Sequence, residues 1–391
     1  MNSTRIAASS HDGKIWKTAA YYYAFVILGL ITGVFGPTLI VLAAHTQSTL
    51  NEISIIFAAR SFGYLVGSFL AGRLYDRVRG HPLIVSALIT TALAFVLIPN
   101  IPLLWVLTLV VFILGLAESS IDVGGNSLLS WLHGDQTGPF MNGLHFFFGV
   151  GAFLSPIVVA QVVLSTGEIV WAYWFLAMIA LPAALWLTRL PSPSPQEPSR
   201  ENVAVRASKL TVSAIVVFFF LYAAAEVSYG NWIFTYTTML NLADATNAAW
   251  LTSGFWGAFT AGRLIGVPLS TRFQPATILF IDLLGSIASV ALVLLFPQSI
   301  IVLWLGTLGT GAFMASIFPT MLILAGRKMS ITGEITSWFL IGAGSGVMVM
   351  PWLIGQLFEP IGAQITMVMV LASLVVALMA LGVIVGFKHN K

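Results

Sequence analysis

Charge is scarce in this chain: Lys, Arg, Asp and Glu together make up 8% of 391 residues, and there is no cysteine at all. The missing cysteine excludes disulfides, thiolate metal ligands and thiol nucleophiles, and it is silent about compartment. The shortage of charge excludes an ordinary water-solvated surface, for which a share of about 25% is usual. Also absent are a Gly-rich phosphate loop ending in Lys, a His/Cys metal cluster and a Ser/His/Asp arrangement with supporting context, so an enzyme is not expected. What is present is apolar: 58% of residues are hydrophobic and mean hydropathy is +0.95. No soluble core absorbs that much apolar surface.

Twelve apolar stretches, at roughly 19–43, 53–75, 83–99, 103–131, 138–164, 170–188, 210–240, 247–270, 276–296, 299–326, 334–358 and 362–386, are each of bilayer-crossing length. In lipid every backbone polar group must be bonded within the chain, and runs this long without period-two alternation select helices over a barrel. The fold class expected is therefore an all-α integral membrane protein of 12 transmembrane helices. The N-terminus carries Arg5, Lys14 and Lys17 without a short apolar core and small-residue cleavage site, so no removable signal peptide is expected. With twelve crossings, Arg73, Arg77, Arg79, Arg189, Arg200, Arg206, Lys209, Arg272, Arg327, Lys328, Lys388 and Lys391 all fall on one side, and the opposite loops hold no Lys or Arg. That asymmetry places both termini in the cytoplasm, in the plasma membrane. It also accounts for the formal net charge of +3 as a matter of topology, with no nucleic-acid partner implied.

The Pro/Ser-rich stretch from Pro191 to Lys209 is the one long polar segment, and it separates six spans from six. The expected organisation is a six-helix bundle over 1–188, a cytoplasmic linker over 189–209 and a second six-helix bundle over 210–391. Gly67, Leu74 and Arg77 before the third span recur as Gly262, Leu269 and Arg272 before the ninth, at a constant offset of 195. Two repeated halves of this kind place a substrate site between them near mid-membrane. The layout, and the segment GSFLAGRLYDRVRGHPLI with its Asp76, Arg77 and Arg79, resemble the major facilitator superfamily. The strings GPTLIVLA, TLNEISIIFAARSFGYLVGS, DVGGN, GPFMNGLHFFFGVGAFLSP and FPTMLILA resemble the branch that holds sodium-dependent glucose transporters and is related to fucose:proton symporters. The resemblance implies sugar uptake coupled to Na⁺ or H⁺, and a cytoplasmic latch at Asp76 and Arg77 that favours an outward-open state.

Polar side chains in the spans carry the site expectations, because a charge at mid-bilayer costs about 2.5–3.5 kcal/mol on insertion scales. Glu118, Asp122 and Asn126 share one face of the fourth span and offer hard oxygens to a small cation, Na⁺ or H⁺; the alternative is an acid that pairs with an arginine or serves as a structural hydrogen-bond acceptor. In the seventh span Glu226, Tyr229, Asn231 and Trp232 combine an acceptor, an amide and rings, which suits sugar hydroxyls and the C–H face of a pyranose; Gly230 there is expected to loosen the helix. The bland alternative for the aromatic residues is an interfacial belt. Trp256, Thr260 and Arg263 share a face of the eighth span, with Arg263 expected to neutralise Glu226. Asn142 and His145 are one turn apart on the fifth span, where a lone histidine is as often a packed hydrogen-bonding group as a proton carrier. Arg60 is read as a partner of Glu118 or Asp122 or as a gate contact, and Glu334 as a further gate residue. The glycines of GVGAF and GAGSGVMVMP allow close helix crossings, and Pro156, Pro319 and Pro351 permit bending. The overall expectation is a monomeric sugar:cation symporter with no cofactor; an exporter or exchanger of another small molecule, or a non-transporting sensor, are the alternatives.

Overall fold

The computed structural model describes residues 2–193, 209–329 and 333–386. Most of the linker, with Arg200, Arg206, Lys388 and Lys391, lies outside these residues, and so do the side chains of Arg5 and Glu334. Among the described residues there is helix and no strand. The spanning helices are α1 (Gly13–His45), α2 (Leu50–Tyr75), α3 (Gly80–Asn100), α4 (Leu104–His133), α5 (Thr137–Thr166), α6 (Ile169–Thr188) and α7 (Lys209–Met239). Then follow α8 (Ala245–Arg272) and α9 (Pro275–Leu295), α10 (Ile300–Lys328), α11 (Ile335–Ile361) and α12 (Ile365–Gly386). Eleven of these are long and apolar enough to cross a membrane; α8, at 28 residues, has the length but is more polar, since it carries Thr252, Ser253, Thr260 and Arg263. The protein is thus an all-α integral membrane protein with twelve transmembrane helices in two six-helix bundles.

Exposed positions confirm what solvent the helices expect. Leu93, Met178, Leu185, Leu295 and Ile301 are each more than half exposed, a surface that hydrocarbon wets and water does not.

Contacts divide the chain into two compact units, Met1–Val34 with Phe62–Pro198, and Phe35–Ser61 with Ser199–Lys391. Residues 35–61, which sequence assigns to the first bundle, pack with the second unit. There the start of α2 carries a Thr49/Glu52 capping box, Leu50 N donates to Glu359 Oε1 at 2.9 Å and Gln356 Nε2 donates to Asn51 O at 3.0 Å.

In the first unit α1 and α5 cross at Gly29 and Gly151, where a Cβ on either would overlap a facing carbonyl, of Phe148 and Val26 respectively. In the second unit α7 and α11 cross in the same way, with Gly342 and Gly346 against the carbonyls of Val216 and Phe220. Close approach without a side chain between replaces the hydrophobic drive that lipid cannot supply. The first unit is further tied at the α2–α3 turn. Ser192 Oγ accepts from the amides of Gly80 and His81 at 3.0 and 3.3 Å, satisfying free N–H groups at the start of α3. The His81 ring bridges Leu190 O and Tyr21 Oη at 2.8 and 2.7 Å.

Proline has less effect than expected at two of three positions. Pro156 and Pro351 lie inside continuous helices, whereas α10 is divided into Ile300–Met314 and Ile317–Lys328 just before Pro319.

Candidate functional site

In the first unit the acid face of α4 is organised around Asp122. Tyr64 of α2 donates its hydroxyl proton to Asp122 Oδ2, and Asn126 Nδ2 donates to Oδ1 at 2.8 Å and to the Asp122 carbonyl at 2.9 Å. Both carboxylate oxygens are therefore occupied by donors. Each oxygen keeps one lone pair free for a cation, and turning Asn126 so that its oxygen faces inward would add a further ligand. Glu118, one turn away, is buried at 7% exposure. Tyr64 lies 58 residues from Asp122 in sequence and no spacing announced it. On α5, His145 is half-buried with its ring edge-on to Phe25 at 5.9 Å, while Asn142 is exposed. Asp76, Arg77 and Arg79 are exposed, and none of them carries a side-chain hydrogen bond or ion pair among the described residues.

The second unit holds the expected aromatic and acidic set on two neighbouring helices, α7 and α8. Their environments separate the two tryptophans. Trp232 is fully enclosed: Nε1 donates to Pro351 O at 3.0 Å, and the ring is stacked on Phe358 at 5.1 Å and tilted against Phe57 at 5.9 Å. It is committed to packing in this conformation. Trp256 is 2% exposed and edge-on to Phe255 and Phe259, yet its Nε1 has no acceptor. Tyr229 is committed as well, with Oη 2.9 Å from Thr307 Oγ1 and its ring stacked on Phe255. Asn231 is buried at 3% exposure.

Gly230 does not interrupt α7, which runs unbroken from Lys209 to Met239. Its role is steric, because a Cβ there would meet the Trp256 ring at 2.6 Å; the expectation of a loosened helix is corrected accordingly.

The Glu226–Arg263 pairing is looser than sequence suggested. Glu226 is half-buried, beside the Tyr222 hydroxyl and within electrostatic reach of Arg263. The Arg263 guanidinium instead sits 4.6 Å from the Phe259 ring centroid, and its buried Nε lacks a hydrogen-bond partner. An aromatic face in place of a carboxylate leaves donors for something else. Trp256 Nε1 and Arg263 Nε are thus two unmet donors on one helix, with the Glu226 acceptor on the next. Arg60 of α2, also in this unit, is buried with its guanidinium 5.4 Å from the Phe35 ring.

Sequence reasoning passed over Asp282, a buried acid on α9 that accepts a hydrogen bond from Ser316. The signal was available, since it is the single charge in an apolar span.

Twelve helices, acids held inside the spans and glycine-packed crossings repeated in both halves define a membrane transporter. The chain belongs to the Major Facilitator Superfamily, whose family profile matches residues 21–351. It is 32% identical to sodium-dependent glucose transporter 1 of Xenopus laevis over 83% of this chain and 72% of the relative. It is 30% identical to sodium-dependent glucose transporter 1A of Mus musculus, covering 86% and 88%. Major facilitator superfamily domain-containing protein 4A of Xenopus tropicalis is 28% identical, covering 96% and 93%. Among solved structures, the nucleoside transporter NupG superposes with a TM-score of 0.77 at 14% identity, over 96% of this chain and 100% of the other, which is a likeness of fold.

Proposed function

We propose that the protein is a hexose:cation symporter of the plasma membrane, with both termini cytoplasmic. The observation that carries this reading is the division of polar work inside the spans. α4 holds a carboxylate site, Glu118, Asp122 and Asn126, while α7 and α8 hold an acceptor, Glu226, beside the unmet donors Trp256 Nε1 and Arg263 Nε. Buried donors without partners cost about 1–3 kcal/mol each, and a ligand rich in hydroxyls supplies the missing acceptors. Sodium dependence and glucose in the names of the relatives support Na⁺ as the coupling ion and a hexose as the substrate. A second reading, in which a proton is the coupling ion, needs no oxygen cage and draws on Glu118 and Asp122 standing one turn apart on α4, where two like charges favour proton uptake.

In this reading Glu118, Asp122 and Asn126 take the cation. Glu226, Asn231, Trp256 and Arg263 contact the sugar, and Tyr229 and Trp232 hold the α7 backbone in place; Asn142 and His145 are the polar candidates of α5 within the first unit. Asp76, Arg77, Arg79, Arg60 and Glu334 gate the transition between states. The test is Asp122→Asn, which removes charge at nearly constant shape: concentrative uptake of labelled D-glucose into proteoliposomes should vanish while sugar exchange persists. Accumulation by the variant at the wild-type level would contradict the assignment.

A further inference from the structure

α10 is, among the described residues, the spanning helix that divides in mid-length, at Ala315 and Ser316 between Met314 and Ile317. Pro319 supplies the cause. It has no N–H for the carbonyl of Ala315, four residues back, and its ring crowds that carbonyl. Two other helices satisfy the junction's polar groups. Tyr222 of α7 donates its hydroxyl proton to Met314 O at 2.9 Å, and Ser316 Oγ donates to Asp282 of α9. From α8, a Cβ at Gly266 would come within 3.0 Å of Ser316 Cβ, so the junction is also closely walled.

Asp282 is the sole acid of α9 and is 9% exposed. It lies seven residues into the helix, about 10 Å at 1.5 Å per residue. The charged and titratable groups of the surrounding helices are Arg263 and, in its last turn, Arg272 on α8, Arg327 and Lys328 at the far end of α10, and Tyr222, Glu226, Tyr229 and Tyr236 on α7, which begins at Lys209; α12 carries none. Tyr222 is in electrostatic reach of Asp282, Glu226 and Arg263 together. Among the described residues no basic side chain is in ion-pair contact with Asp282. A carboxylate so placed can shed its charge only by taking a proton. One carboxylate and one hydroxyl are too few oxygens for a metal ion, and Tyr222 already occupies the Met314 carbonyl.

We propose that Asp282 is a proton-binding site, separate from the α4 carboxylates, that sets the conformation of the α10 junction. Ionised, it accepts the Ser316 hydroxyl in a charge-assisted bond and holds the two halves of α10 in the bend seen here. Protonated, it holds Ser316 with a weaker neutral bond, and the junction loosens. The proton comes from water and returns to it. The site works whichever cation α4 binds and whatever the substrate.

The test is hydrogen–deuterium exchange of the full chain in lipid nanodiscs without sugar, read on peptides spanning Gly311–Thr320. Protection, corrected for intrinsic exchange, should fall about tenfold between about pH 8.5 and about pH 5.5 in the wild type. Asp282→Asn should be loose and flat across that range, and Ser316→Ala, which removes only the donor, should lose most of the pH response while keeping the protection of α7 and α11. A pH response retained in both variants, or absent from the wild type, would overturn the proposal. Because no sugar or sodium gradient is present, the outcome is independent of whether the protein carries hexose.

Discussion

Trp232 and Trp256 are both enclosed, and the fate of one atom in each decides what a substitution does. Trp232 Nε1 is bonded to Pro351 O, and Trp256 Nε1 to nothing. Trp232→Phe should therefore lower stability by about 1 kcal/mol, the net worth of a lost hydrogen bond, and leave sugar affinity alone. Trp256→Phe removes an unmet donor, so stability should hold or rise while D-glucose affinity falls about two- to tenfold. Thermal unfolding and calorimetric titration on the same two variants check this, and an affinity loss confined to Trp232→Phe would reverse the assignment. Glu226→Gln keeps an acceptor but loses charge assistance of about 1.5–3 kcal/mol, so affinity should drop about one to two decades; wild-type affinity in that variant would remove Glu226 from the sugar site.

At the scale of elements, glycine crossings govern which helix pairs tolerate bulk. Gly346→Leu drives a side chain into the Phe220 carbonyl and should destabilise the second unit by about 1–3 kcal/mol, whereas Gly382→Leu on α12, where nothing stands within 4 Å, should be neutral. Unfolding midpoints for the pair measure the difference, and equal effects would refute the close-crossing account. Such crossings were legible from the sequence as small-residue spacing in α5 and α11, because that signal is local. The division of α10 was half legible: Pro319 announced a bend, but so did Pro156 and Pro351, which lie within continuous helices. What distinguishes the break before Pro319 is partners from other helices, Tyr222 on Met314 and Asp282 on Ser316, 92 and 34 residues apart in sequence. Likewise the Glu118/Asp122/Asn126 face could be read from a four-residue period, while Tyr64 could not. Composition also failed to separate Trp232 from Trp256, since burial in both is set by neighbours such as Phe358 and Gly230 that sequence does not bring together.

For the whole molecule, the absence of cysteine makes topology directly testable. A single cysteine at exposed Val78 should react with an impermeant maleimide only when the cytoplasmic side is opened, and one at exposed Ala245 should react in intact cells. The reverse pattern would invert the orientation read from the basic loops. Twelve crossings followed from apolar run lengths, and the polar α8 was among them because its length outweighed its hydropathy. Packing of residues 35–61 with the second unit was not legible, since nothing in the composition of α1 changes at Val34.

The central claim is that movement of a cation down its gradient drives a hexose up its own. Its most direct test is labelled D-glucose accumulation in proteoliposomes of the purified full chain, under an inward Na⁺ gradient and, separately, an inward H⁺ gradient. The account predicts accumulation above equilibrium under one of the two gradients, Na⁺ foremost, and its loss in Asp122→Asn. Glucose that merely equilibrates under both gradients would contradict it.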